Sequence, residues 1–431
     1  MQWQVRCRQC ALRLVRAMTL LLHQDAAAAA VLRRTRMMLL LLLLIFSLSS
    51  FPSVTAKCPH KCWCEKDKVY CIDQELDRIP THIPPVTKKL DLSDNKIRDT
   101  ELKSLAHLTD LQHLDLSYNK IRDIESLAHL TELETLHLSN NNISEVKNGA
   151  FANLSKLQAL FLHRNKIENI ETGAFNNLTS LKELHLYYNN IHKLDLEMFK
   201  GLTKLNKLFL SGNKIDNIET GAFNNLTSLE VLHLDYNNIH KLDLEMFKGL
   251  TKLNRLFLDH NMIRNIPPGT FDSLTSLSLL QIDQNPLTCD CNILLLVNLL
   301  KERSDVLGDY DPSCHFPVEM SEIPLKEITE NDFNCTSPDV IVVPENKTVS
   351  VGEQLQLSCK AVGDPEPFIT WAKDDIDLEL GQRVQVFQNN TLIISKVERT
   401  DGGKYKCVAS NYLGRKSFEA MVNVNGFAEN G

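Results

Sequence analysis

The chain has 431 residues, is 43% apolar and 23% charged, and carries a formal net charge of −7. That balance excludes disordered, collagenous and polytopic membrane classes, and at about 150 residues per unit the length predicts roughly two to four folded units. Twelve cysteines are too many for a reducing compartment.

In chain order, the first element is a leader. An unbroken apolar run, Met37 to Phe46, follows Arg33, Arg34 and Arg36 and precedes Val54-Thr55-Ala56, where small residues suit signal-peptidase cleavage. Residues 1–56 are therefore expected to be a secretory signal with a long basic prefix, and Met37 or Met38 is an alternative start. The run is shorter than the roughly 20 residues that span a bilayer. The leader holds seven of the 47 basic and one of the 54 acidic side chains, so the remainder carries a formal −13. This weighs against nucleic acid as a partner and leaves room only for a local basic patch. Ten cysteines remain, an even number, as an oxidised extracellular chain requires. Nothing after Cys407 resembles a membrane helix or a lipid-anchor tail. A product released to the extracellular space or matrix is expected, with a fragment or splice form of a longer membrane or peroxidase-bearing protein as the alternative.

The next stretch repeats itself. Leu90-Asp91-Leu92-Ser93-Asp94-Asn95-Lys96-Ile97 is the first of nine copies of L-x-x-L-x-L-x-x-N-x-[ILM], a leucine-rich signature. The copies are marked by Asn95, Asn119, Asn141, Asn165, Asn189, Asn213, Asn237, Asn261 and Asn285, spaced by 24 residues except for one step of 22. The pattern predicts a solenoid over 90–286 whose strand leucines point inward, with each asparagine satisfying turn backbone groups. Phe151, Phe175, Phe199, Phe223, Phe247 and Phe271 recur at one offset and predict a second core spine. Residues 165–210 and 213–258 are near copies, a 48-residue duplication that a solenoid absorbs by lengthening.

One rung cannot bury its own apolar face, so both ends need covers. The cysteines Cys58, Cys62, Cys64 and Cys71 predict a cap over 57–89. Cys289, Cys291, Cys314 and Cys335, with the apolar run Ile293 to Leu300 as a covering helix, predict another over 287–335. Spacing alone leaves three pairings open in each set, and disulfides are favoured over zinc in this compartment. After a short, stiff Thr336-Ser337 link, Cys359, Trp371 and Tyr405-Lys406-Cys407 carry the pattern of an immunoglobulin-like sandwich over 338–425, with Cys359 and Cys407 as its bridge. The predicted fold class is mainly β, or α+β: a leucine-rich-repeat solenoid with disulfide caps followed by an immunoglobulin-like β-sandwich.

Read rung by rung, the residue between the strand leucines is Asp91, Asp115, His137, Phe161, His185, Phe209, His233, Phe257 and Gln281, a column expected on the concave face. Tyr118, His163, Tyr187, Tyr188, Tyr236 and His260 flank it. Rings that the fold leaves unburied supply binding hot spots. The expected ligand-binding strip is therefore His137, Phe161, His163, His185, Tyr187, Tyr188, Phe209, His233, Tyr236, Phe257 and His260, with stacking that merely stabilises the sheet as the alternative. His137, His185 and His233 stand two rungs apart, about 10 Å, too far to share one metal ion. Titrating near neutrality, they are expected to weaken binding in acidified vesicles. Glycan acceptor sequons begin at Asn142, Asn153, Asn177, Asn225, Asn334, Asn346 and Asn389. Asn334 is the weakest because its middle residue is Cys335.

Cap, repeats, cap and sandwich together resemble the extracellular family that joins leucine-rich repeats to an immunoglobulin domain. Within it, Cys289-Asp290-Cys291-Asn292-Ile293-Leu294 leading into Leu299-Leu300-Lys301 is most similar to the amino-terminal half of the peroxidasin family, without its peroxidase domain. The resemblance implies the pairings Cys58 with Cys64, Cys62 with Cys71, Cys289 with Cys314 and Cys291 with Cys335, together with matrix association and adhesion. No G-x-S-x-G, H-E-x-x-H, G-x-x-x-x-G-K-[ST] or G-x-G-x-x-G occurs, so no enzyme, cofactor or metal is expected. The expected function is recognition or adhesion, with an extracellular or cell-surface protein or glycan on the repeats and a second partner on the sandwich. The alternatives are a self-associating matrix module, hence a homo-oligomer, and an innate immune pattern-recognition protein.

Overall fold

The computed structural model describes residues 58–124 and 127–426, so the predicted leader lies outside the described residues. Each rung contributes a three-residue strand, from Lys89–Asp91 to Leu279–Gln281. Nine of these pair in parallel, in sequence order, into one sheet. The central leucine of each strand is buried and its two neighbours face outward, as the two-residue period of a strand dictates. Only the Val231–His233 and Leu279–Gln281 strands bury a second residue.

The asparagine ladder joins rung to rung. The Asn189 amide donates to the carbonyls of Leu162 (3.1 Å) and Leu186 (2.9 Å), while its Oδ1 accepts the Ile167 N–H (3.0 Å). Carbonyls of two rungs and an amide of the preceding one thus meet in a side chain that is itself buried, which leaves these turn groups partnered away from water. The phenylalanine spine runs along the inside. Phe151 stacks on Phe175 at 6.1 Å, and Phe199, Phe223, Phe247 and Phe271 follow with centroids 6.0–6.5 Å apart. All six are at most 5% exposed.

At the start of the stack the hairpin of Trp63–Glu65 and Lys68–Tyr70 extends the sheet, its second strand lying parallel to Lys89–Asp91. Bridges Cys58–Cys64 and Cys62–Cys71 tie it down. At the far end the helix Ile293–Glu302 buries Ile293, Leu294, Leu296, Val297 and Leu300 against the last rung. Its surroundings are fixed by Cys289–Cys314 and Cys291–Cys335.

The expected two-residue link is absent as a link. Thr336 already begins strand Thr336–Val342, which pairs antiparallel with Lys360–Asp364. The Asn411 side chain bonds the Thr336 carbonyl at 2.9 Å, and Tyr412 packs against the repeat core. The sandwich is sewn to the cap by its own first strand because Cys335 ends one unit and Thr336 starts the next. Its core holds the Cys359–Cys407 bridge, Trp371, whose indole donates to the Asn390 carbonyl (3.0 Å), and Tyr405, whose hydroxyl donates to the Asp401 carbonyl (2.8 Å).

Candidate functional site

The third residue of each rung strand projects from the outward face of the long sheet. Over six rungs these are rings, and each stacks on the next. His137–Phe161 (4.1 Å), Phe161–His185 (4.4 Å), His185–Phe209 (4.3 Å), Phe209–His233 (4.9 Å) and His233–Phe257 (3.8 Å) form an unbroken column with planes within 26° of parallel. The in-register parallel pairing of the strands places them so. The six rings are half-buried, since each neighbour covers a ring face and leaves an edge to solvent. The sequence predicts unburied rings, and the structure covers them in part. Ladder stacking covers half of each ring, so sheet stabilisation and surface display coexist in one column.

Beside this column lies a second set. His163 stacks on Tyr187 at 4.2 Å, Tyr236 on His260 at 4.1 Å, and the Arg164 guanidinium sits 4.9 Å above the Tyr188 ring. Tyr118, Tyr188 and Tyr236 are the most exposed rings of the strip, at 58%, 54% and 54%. All eleven predicted ring residues therefore fall on one sheet face or its adjoining turn.

The electrostatics depart from expectation. Burial lowers the pKa of His137 despite the raising influence of Asp115 and Asp91, and burial lowers that of His185 despite its contact with Glu183. Burial, helped by His185 and Arg164, takes His163 down to about 4. These three imidazoles are neutral at pH 7, and protonation is displaced below the range assumed from sequence. The Lys207 ammonium, 2.8 Å from Glu183, holds that carboxyl below its usual range. Burial pushes Asp235 up, yet bonds from His233 (3.1 Å) and Ser211 (2.8 Å) leave its pKa lowered. Asp259 is raised by burial and by the charges of Asp235 and Asp283, against its contact with His260 (2.9 Å).

Two features escaped the sequence reading. One is that acidic run, Asp235, Asp259 and Asp283, which fills one column of the last three rungs. The other is a cleft of about 360 Å³ at the opposite end of the face, where Lys68, Lys88 and Lys89 meet Asp67, Asp91 and Asp115. The acidic run is visible by reading the column two residues before each ladder asparagine, and the cleft combines Asp91 and Asp115 of the column between the leucines with lysines of the cap and first rung. Of the sequon asparagines, Asn153, Asn177, Asn334, Asn346 and Asn389 are exposed, and Asn142 and Asn225 are half-buried. Among the described residues no group of three or more His, Cys, Asp or Glu side chains is arranged to hold a metal ion, and no helix is long and apolar enough to cross a membrane.

Comparison with known proteins agrees with this architecture. A leucine rich repeat family profile matches residues 85–143, 131–191, 179–239 and 227–287, and an immunoglobulin I-set domain profile matches 338–424. The human peroxidasin homolog is 31% identical over 134 residues, 30% of this chain and 9% of that protein. The human leucine-rich repeat and immunoglobulin-like domain-containing nogo receptor-interacting protein 2 is 32% identical over 152 residues, 33% of this chain and 25% of the relative. The match thus spans a tenth to a quarter of those relatives' length. Among solved structures, human 5T4 (Wnt-activated inhibitory factor 1, Trophoblast glycoprotein) is similar over 66% of this chain and 100% of its own, at 26% identity and a TM-score of 0.49.

Proposed function

Because this chain belongs to the proteins that couple leucine-rich repeats to an immunoglobulin I-set domain, a pairing typical of recognition and adhesion, we propose that it is a secreted, non-catalytic recognition protein. Its repeat face, from His137 to His260, engages an extracellular protein or glycan, and its sandwich engages a second partner. The observation that carries the reading is the strip of stacked rings bordered by tyrosines more than half exposed. A sheet needs no exposed phenol rings to fold, whereas interfaces concentrate their binding energy in such groups. Five disulfides support an oxidising, extracellular setting. On the sandwich, Phe368, Ile376 and Leu380 are 62–74% exposed, and Ile376 lies on the edge strand Ile376–Asp377.

The test is capture from extracellular proteomes with the full chain and with Phe161, Phe209 and Phe257 changed to Ser. A partner kept by the parent and lost by a folded variant supports the repeat face. A partner kept by both moves the site to the sandwich or to the back of the stack. Sedimentation at micromolar concentration separates recognition from a self-associating matrix module, which would sediment as an oligomer.

A further inference from the structure

The geometry points to a particular occupant for the rim around Tyr188 and Tyr236: a basic, proline-rich peptide in the polyproline II conformation, laid along the repeat axis. This rests on the reading of the face as a recognition surface and narrows it.

The backbone supplies the first argument. The residue before each ladder asparagine is left-handed, with φ of 54° at Tyr188 and 52° at Tyr236. Asp94, Asn140, Arg164, Gly212, His260 and Gln284 hold the same left-handed position on other rungs, so the conformation belongs to the repeat turn. At Tyr188 and Tyr236 that turn lifts a large ring to the rim of the face, where each is more than half exposed. Rings held up in this way offer contact area that the fold itself does not use.

Orientation and period supply the second. A Cβ on Gly212 would lie 2.5 Å from Cδ1 of Tyr188, so that ring leans onto the following rung where the glycine makes room. Tyr236 leans onto its own following rung, stacked on His260 with planes 13° apart. The two tyrosines are two rungs apart, as are His185 and His233, and Phe209 and Phe257. Two rungs amount to roughly 9.6 Å. A polyproline II helix returns to the same face every three residues, roughly 9.3 Å. An extended strand repeats at about 6.8 Å and an α-helix at about 5.4 Å, so neither returns at the Tyr188–Tyr236 interval. Polyproline II segments are also preformed, leave their carbonyls free for phenol hydroxyls, and dock on aromatic-lined surfaces.

Charge supplies the third. Asp235, Asp259 and Asp283 occupy the column next to the tyrosine position on the last three rungs. Three carboxylates on the turns of adjacent rungs repel one another, and a cationic side chain of the ligand seated over these last rungs, away from the Arg164 guanidinium on Tyr188, relieves them.

The test uses the full chain and fluorescence anisotropy with two labelled probes: a peptide of four Arg-Pro-Pro triplets, and one of four Arg-Gly-Gly triplets with the same charge. The variant is Tyr188→Asn with Tyr236→Asn. Asparagine suits the left-handed turn, so Tm should hold, and the melt checks this. Saturable binding of the proline probe is expected, at least tenfold weaker for the glycine probe and at least tenfold weaker in the variant. Equal binding of the two probes, no effect of the variant, or no binding would overturn the proposal. Binding of a chitin or cellulose oligosaccharide, lost in the variant, would overturn it in favour of a glycan. The broader reading fails separately, when a folded Phe161/Phe209/Phe257→Ser protein keeps every captured partner.

Discussion

Replacing Asn213 by alanine tests how the stack is held together. Its amide donates to the carbonyls of Leu186 (3.0 Å), Leu210 (2.9 Å) and Ser211 (3.4 Å), and its Oδ1 accepts the Ile191 N–H (3.1 Å). Four bonds disappear, yet three of the abandoned groups keep a partner. Leu186 O still receives Asn189, Leu210 O still receives Asn237, and Ser211 O still receives the Tyr188 N–H. Only the Ile191 amide is orphaned. An unsatisfied buried donor costs about 1–3 kcal/mol, and thinning three carbonyls from two donors to one adds some tenths each, giving about 3 kcal/mol in all. Asn213→Asp should cost more. It keeps the acceptor for Ile191 but turns a charged oxygen toward three carbonyls in a buried site. Urea denaturation of both variants gives the ranking, and amide exchange at Ile191 reports the local opening. An alanine variant within 0.5 kcal/mol of the parent, or an aspartate variant milder than alanine, would refute the ladder argument.

Three further outcomes are expected. Gly212→Ala should lower stability by about 1–2 kcal/mol, because a Cβ at φ +63° is strained and collides with the Tyr188 ring; calorimetry checks it. The folded-state pKa of His163 lies at about 4, below its ordinary 6.5. Its contribution to stability is therefore complete above pH 6.5 and lost as pH falls from there through 4. A Tm that declines across that window in the parent, and declines less in His163→Gln, is the expected profile. Tyr405→Phe removes the bond to the Asp401 carbonyl in a fully buried site and should cost the sandwich about 1–2 kcal/mol, read as earlier amide exchange in strand Gly403–Asn411 with the repeats unchanged.

The repeat architecture was legible because a solenoid writes its period into the chain. Leu160, Asn165 and Phe175 each recur at a fixed offset, and burial follows those offsets. The sandwich was legible from Cys359, Trp371 and Tyr405 for the same reason: single side chains fill single places. Two things were not readable. Whether Phe209 stands free or lies against His185 and His233 depends on rotamers that the strands allow but do not name. The neutral state of His163 depends on desolvation by neighbours one rung away in space and 24 residues away in sequence. The left-handed turn at Tyr188 was in principle readable, since Asn140 and Gly212 mark that position, but only by comparing rungs at a column that the leucine pattern does not highlight.

The claim that the ring face does the binding is tested most directly by hydroxyl-radical footprinting of the full chain with and without a captured partner. The account predicts loss of labelling at Tyr188, Tyr236 and His260, while Leu196 and Leu244, which are 43% and 52% exposed in the segments between rung strands, stay labelled. Protection of Leu196 and Leu244 with the three rings still labelled would contradict it.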